Sequence, residues 1–102
     1  MKDKFLPIGT VVLLENGTKR VMITGYLIYS RSSEKKKLFD YGGCVFPEGV
    51  IDSNNNLGFN HDQIKEIIHM GLENEEETDF INSLNAIADD FRKKFDEEIA
   101  NN

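Results

Sequence analysis

One stretch of the chain constrains the fold more than any other, the segment GTVVLLENGTKRVMITGYLIY at residues 9–29. Two runs of mainly apolar and β-branched residues flank Asn16-Gly17, a dipeptide typical of the type I′ turn that joins two antiparallel strands. With this pair as the loop, Val12 lies opposite Val21. The sequence therefore predicts a β-hairpin, and its continuously apolar first strand predicts cover on both faces of the sheet.

Further strands follow the hairpin. After a polar segment at 30–37, interpreted as a loop, residues 38–46 predict a third strand that ends at Pro47, and residues 57–59 predict a short fourth strand. Glycines within the strands indicate bends or bulges where a small sheet curls; they are Gly25, Gly42 and Gly43. We expect a small, strongly curved antiparallel sheet of three to five strands over residues 5–59, for which an SH3-like form is one option.

Two helices are predicted after the sheet. Asn60 and Gln63 have the spacing of a capping box, and the isoleucines that follow recur at helical intervals, so we expect a short helix at 60–71. Residues 75–99 predict a longer amphipathic helix with an acidic first turn. The predicted fold class is α+β, with residues 1–102 forming a single domain.

Charge and hydropathy limit the classes of function. Residues 1–50 hold eight Lys or Arg against five Asp or Glu, whereas residues 51–102 hold four against thirteen, which gives the formal net charge of −6. An acidic chain disfavours nucleic-acid binding, although a small barrel that contacts phosphates through Lys35, Lys36 and Lys37 stays an alternative. The sequence has no apolar run of membrane-spanning length and no signal-peptide pattern, so we expect a cytoplasmic protein without a membrane partner.

Cys44, the one cysteine in the sequence, is the main candidate for chemistry. A thiol hydrolase or redox enzyme would need His61 or His69 beside the thiol. The two glycines before the cysteine do not bracket it as in a nucleophile elbow, and free cysteines are usually buried. We therefore interpret Cys44 as a core residue and expect no enzymatic activity, with the thiol enzyme kept as the alternative.

Metal and cofactor sites are weakly indicated. His61 and His69 are eight residues apart, a spacing that matches no standard zinc pattern, and the acidic run near residue 75 lacks the central glycine of a calcium loop. No phosphate-binding glycine loop precedes a helix. We expect neither a metal nor a cofactor.

A stripe of large apolar residues on the long helix is the main candidate for binding. Its members recur at steps of four, three, four and four residues; they are Phe80, Leu84, Ile87, Phe91 and Phe95. Such a stripe either folds back onto the sheet or stays exposed for a partner. The three phenylalanines favour some exposure, so we expect this stripe, or an edge of the sheet, to bind another protein or a second copy of the chain.

Several blocks in the same order resemble one known family. They are LPIGTVVLL, KRVMITGY, DYGGCVFPEGV and NLGFNHDQIKEIIHMG, spanning about residues 5–72. The blocks are similar to the bacterial domain of unknown function 4176, whose members are found chiefly in Gram-positive bacteria, often beside genes for type VII secretion and for toxins with LXG-type export domains. The resemblance implies an accessory role as an adaptor, chaperone or targeting factor for a secreted toxin, and it supplies no catalytic motif.

Overall fold

The computed structural model describes residues 5–32, 35–52 and 56–100. Five strands form one sheet in the order β4-β3-β2-β1-β5, and every pairing is antiparallel. One long helix follows the sheet, which confirms the α+β class and the curved antiparallel sheet. The elements are β1 (Val11–Leu14), β2 (Arg20–Ser32), β3 (Lys35–Val45), β4 (Leu57–Phe59), β5 (Ile64–His69) and α1 (Glu75–Ala100).

The predicted hairpin is present as β1 and β2. Val12 pairs with Val21 and Val11 with Met22, so the register is the predicted one. The predicted type I′ turn is wrong, because Asn16 has a positive φ of 64° whereas Gly17 does not. The turn is instead closed by a hydrogen bond from Gly17 N–H to Leu14 O, at 3.1 Å.

Strands β2 and β3 form a long, bent hairpin. Their register shifts between Ile23 and Gly25, so the predicted irregularity at Gly25 is confirmed. A side chain at Gly43 would place its Cβ 2.7 Å from the Met22 carbonyl oxygen, so the strands approach too closely there for any other residue. The predicted loop at 30–37 is wrong where the structure describes it, since both strands continue into this segment; residues 33–34 lie outside the described residues.

The predicted short helix at 60–71 is wrong. A single 3-10 turn, His61–Gln63, begins with the expected hydrogen bond from Asn60 N–H to Gln63 Oε1, at 2.7 Å. The chain then becomes extended at Ile64 and forms β5 against β1. The free edge of β1 offers backbone hydrogen bonds to β-branched isoleucines, and this pairing outweighs the local helical pattern.

Helix α1 begins after Asn74, whose Oδ1 accepts a hydrogen bond from Glu77 N–H at 2.8 Å. The helix packs across one face of the sheet and completes the core. Among the residues whose burial the structure describes, nine form the main cluster; they are Phe5, Val12, Val21, Ile23, Tyr41, Phe59, Ile81, Leu84 and Ala88. The N-terminal segment, the sheet and α1 therefore share one core.

Candidate functional site

Helix α1 has a buried face that attaches it to the sheet. Ile81, Leu84 and Ala88 recur at steps of three and four residues and lie in the core cluster. Further along, Arg92 Nη2 lies 2.7 Å from Asp40 Oδ1 on β3, and the two side chains are only 27% and 13% exposed. This charged hydrogen bond fixes the second half of the helix against the sheet.

Beside the buried face, α1 carries exposed apolar side chains. Phe80, Ile87 and Phe91 are 54%, 55% and 45% exposed, and Tyr29 of β2 is 43% exposed. We call these four residues the shoulder surface, since they lie where the helix meets the sheet. A pocket of about 390 Å³ opens at one end, between Tyr29, Phe91 and Phe95. The ring of Phe95 packs edge-on against Tyr29, with centroids 5.6 Å apart.

The five residues predicted as a binding stripe therefore divide between two environments. Leu84 is buried in the core, Phe95 is partly buried against Tyr29, and Phe80, Ile87 and Phe91 are exposed. Sequence reasoning missed Ile81 and Ala88 as core residues because it placed the centre of the apolar stripe too close to Ile87. It also missed Tyr29, which no helical pattern could reveal because this residue lies on a strand.

A polar network joins the sheet to α1 beneath the helix. Tyr41 Oη accepts a hydrogen bond from Leu6 N–H at 3.0 Å and lies 2.7 Å from His61 Nδ1. The His61 backbone N–H donates to Asp40 Oδ2 at 2.9 Å, and Asp40 in turn binds Arg92. Burial raises the pKa of Tyr41 to about 12, an effect that the hydrogen bond at Leu6 partly opposes. The network fixes the N-terminal segment, the 3-10 turn and α1 to the same strand.

A second, open pocket of about 470 Å³ lies on the other side of α1 from the shoulder surface. Asp40, Asp62, Asp89 and Asp96 line it together with Arg92. Asp40, the least exposed carboxylate of the Arg92 ion pairs, is already engaged by Arg92 and by the His61 backbone N–H, so the pocket is an extension of the structural network.

Cys44 is buried, with 2% of its surface exposed, so the prediction of a core cysteine is confirmed. Met22, Val11 and His69 follow Cys44 in one row across the sheet, which places His69 three strand spacings away, about 14 Å. His61 binds Tyr41, three residues before Cys44 in β3, and side chains an odd number of residues apart point to opposite faces. Neither imidazole is placed to activate the thiol.

A second exposed apolar region lies along the edge strand β5 and just after it. Its members are Ile67, Ile68, Met70 and Leu72. Two register shifts interrupt the pairing of β5 with β1, and Lys65 and Glu66 are exposed on the strand. Bulges and charges of this kind protect a sheet edge from pairing with another chain.

The described residues include no cluster of three or more His, Cys, Asp or Glu side chains placed to hold a metal ion. Across the same ranges, we found no helical segment with the length and hydropathy of a membrane span.

Comparison with known proteins identifies a family for the chain. The family model described as Domain of unknown function (DUF4176) matches residues 5–80. This range contains all five strands and ends six residues into α1. No curated protein and no solved structure matches the chain. Because the family model covers well over half of the sequence, the chain belongs to the family of Domain of unknown function (DUF4176).

Proposed function

We propose that this chain is a non-catalytic protein-binding accessory protein, and that the shoulder surface is its contact site. The observation that carries the proposal is the division of α1 into two apolar faces. One face is already used by the core. Ile87 and Phe91 lie outside that cluster and are exposed, and Phe80, whose ring also contacts Tyr26, is still 54% exposed. Large apolar side chains grouped at the surface are typical of protein-binding sites.

The partner that we propose is an exported toxin with an LXG-type domain or a component of a type VII secretion system. The chain would act in the cytoplasm as its adaptor, chaperone or targeting factor. This partner is an inference from the resemblance stated above, whereas the contact surface is an inference from geometry. Formation of a complex with the toxin tests the proposed partner, and a substitution in the shoulder surface tests the proposed contact site.

No observation on the described residues favours either alternative function, the thiol enzyme or the nucleic-acid-binding barrel. A thiol enzyme needs a base beside Cys44, and both histidines are held elsewhere. Nucleic-acid binding through Lys35–Lys37 would use a segment of β3 that pairs with β2 rather than a free loop.

The test is co-purification of the chain with a toxin of this class, expressed together in one cell. We expect a stable complex that survives Cys44→Ala and is lost with Phe91→Asp. Ile51→Asp is the matched control, because Ile51 is also exposed but lies far along the chain from α1. Circular dichroism and thermal unfolding establish that each variant is folded.

Two outcomes would count against this proposal. If Phe91→Asp is folded and still binds as tightly as the wild type, the shoulder surface is not the contact site. If Ile68→Asp, on the edge of β5, abolishes binding instead, the sheet edge is the contact surface.

A further inference from the structure

The net charge of the chain is carried almost entirely by its last third. Residues 1–72 contain nine Lys or Arg and eight Asp or Glu, whereas residues 73–102 contain three and ten. The segment with α1 therefore has a formal charge of −7 and the remainder has +1. The shoulder surface lies on this acidic element.

Acidic residues form a rim along the shoulder surface. Asp79, Asp90 and Glu97 are separated by eleven and seven residues, so they form one row along the helix. This row is parallel to Phe80, Ile87 and Phe91, on the side away from the sheet, and all three carboxylates are exposed. Glu76 and Glu98 are exposed near the two ends of the surface, and Lys94, which lines the terminal pocket, lies between Asp90 and Glu97 along the helix.

We propose that the shoulder surface binds a basic amphipathic helix. This inference rests on the proposed function and specifies the chemistry of the partner. The distance from Phe80 to Phe91 corresponds to eleven residues of helix, about 17 Å, which is about three turns of a partner helix. An apolar side chain of that helix would enter the pocket of about 390 Å³ beside Tyr29, and its Lys or Arg residues would face the acidic rim.

The same charges argue against a second copy of the chain as the occupant. Two shoulder surfaces brought face to face would place their acidic rims together, and like charges across an interface are unfavourable. A helix with acidic flanks is disfavoured for the same reason. The rim therefore selects for the sign of the partner's charge, while the apolar side chains supply the contact area.

The first experiment uses the full chain and synthetic peptides of about five turns, measured by fluorescence anisotropy. The probe peptide has leucines at helical a and d spacing and Lys or Arg at the remaining positions. One control replaces every Lys and Arg by Glu, and another keeps the composition but scrambles the leucine spacing. We expect both controls to bind at least ~10-fold more weakly than the probe, and we expect binding of the probe to weaken as salt is raised.

The second experiment compares two pairs of charge reversals that change the net charge equally. Asp90→Lys with Glu97→Lys alters the rim, whereas Glu15→Lys with Glu66→Lys, the sheet pair, alters one exposed residue in the turn after β1 and one on β5. We expect the rim pair to weaken binding of the basic peptide by at least ~10-fold, and the sheet pair to change it by less than about twofold. Phe91→Asp should abolish binding of the probe peptide to the chain.

The outcomes separate this inference from the proposed function. Equal effects of the rim and sheet pairs, or equal binding of the acidic peptide, overturn the basic-helix inference. If the toxin complex is still lost with Phe91→Asp while the rim pair leaves it intact, protein binding at the shoulder surface holds and only the partner's charge is wrong. A concentration-dependent dimer that Phe91→Asp dissociates would identify a second copy as the occupant instead.

Discussion

Tyr41 joins more parts of the structure than any other single residue described above. Its ring stacks on Phe59 with centroids 5.4 Å apart and meets Phe5 edge-on at 5.7 Å. Its hydroxyl links the N-terminal segment at Leu6 to His61 in the 3-10 turn. A buried hydroxyl with two partners is costly to remove, because both partners lose a hydrogen bond.

Tyr41→Phe should lower the free energy of unfolding by about 1–3 kcal/mol, since the ring still packs but Leu6 N–H loses its acceptor. Tyr29→Phe is the matched control, because Tyr29 is half exposed; its effect should stay below about 0.5 kcal/mol. Urea unfolding monitored by circular dichroism measures both values. Equal stability of the two variants would show that the Tyr41 hydroxyl does not hold the N-terminal segment.

The ionisation of Tyr41 makes stability depend on alkaline pH. Burial raises the pKa of this phenol to about 12, whereas an unfolded tyrosine titrates near ~10. Above pH ~10 the unfolded chain releases a proton that the folded chain retains, so stability falls as the pH rises, by up to ~1.4 kcal/mol per pH unit for this group.

The measurement is urea unfolding at a series of pH values between 9 and 11.5 for the wild type and for Tyr41→Phe. We expect the wild type to lose stability more steeply than the variant over this interval. Parallel curves would mean that Tyr41 ionises as easily in the folded chain as in the unfolded one.

At the scale of the elements, α1 and β5 show that apolar residues at helical spacing can lie in a helix or in a strand. In α1, Leu84 of the apolar stripe is buried in the core, whereas Phe80, Ile87 and Phe91 stay exposed in the shoulder surface. In β5, isoleucines at helical spacing are used by a strand, because β1 offers a free edge. The neighbouring elements therefore determine whether such apolar residues are buried or exposed, and whether they form a helix or a strand.

Leu84→Ala should destabilise the chain by about 2–5 kcal/mol, because the substitution leaves a cavity in the core. Ile87→Ala, three residues further on, removes an exposed side chain and should cost less than about 1 kcal/mol. Chemical unfolding of both variants tests whether α1 has the two faces described. Comparable losses would mean that Ile87 is also covered in the folded chain.

Substitutions at Ile67 distinguish a strand from a helix at 64–69. Threonine suits a strand better than alanine and suits a helix less well, so in β5 Ile67→Thr should be more stable than Ile67→Ala by about 0.5–1 kcal/mol. The free energies of unfolding of the two variants give the sign directly. A more stable Ile67→Ala variant would instead indicate that residues 64–69 form the helix that the capping box predicts.

At the scale of the whole molecule, one core joins segments that are far apart in the sequence. Phe5, the sheet and Ile81, Leu84 and Ala88 of α1 all contribute to it. Arg92 adds a further link, since its guanidinium lies over the ring of Phe5 at 5.6 Å from the centroid. Sheet and helix should therefore unfold together.

A chain that ends at Leu72 should fail to fold, because it keeps the sheet but exposes the core surface that α1 covers. We expect a poorly dispersed NMR spectrum and a gradual thermal transition. A chain that ends at Glu98, which keeps Ile81, Leu84 and Ala88 of the core cluster, is the control and should unfold cooperatively. A cooperative transition for the shorter chain would show that α1 is an appendage rather than part of the core.

The sequence by itself determined the features that depend on neighbours along the chain. The position of Asn16-Gly17 between two apolar runs predicted the register of the first hairpin, and the acidic first turn predicted a helix that begins at residue 75. Both predictions depend on residues that lie close together along the chain. The α+β class followed from local patterns of the same kind, and the buried state of Cys44 followed from the usual burial of free cysteines.

Tertiary structure decided the features that depend on what lies opposite. Residues 64–69 became a strand because β1 had a free edge, and the hydrogen bonds of the Tyr41 network join residues 20 to 52 positions apart. The binding stripe of α1 was divided because Leu84 is buried in the core whereas Phe80, Ile87 and Phe91 are exposed, and the helical pattern does not encode which part faces the sheet. Burial is a property of two surfaces in contact, and the sequence of one element describes only one of them.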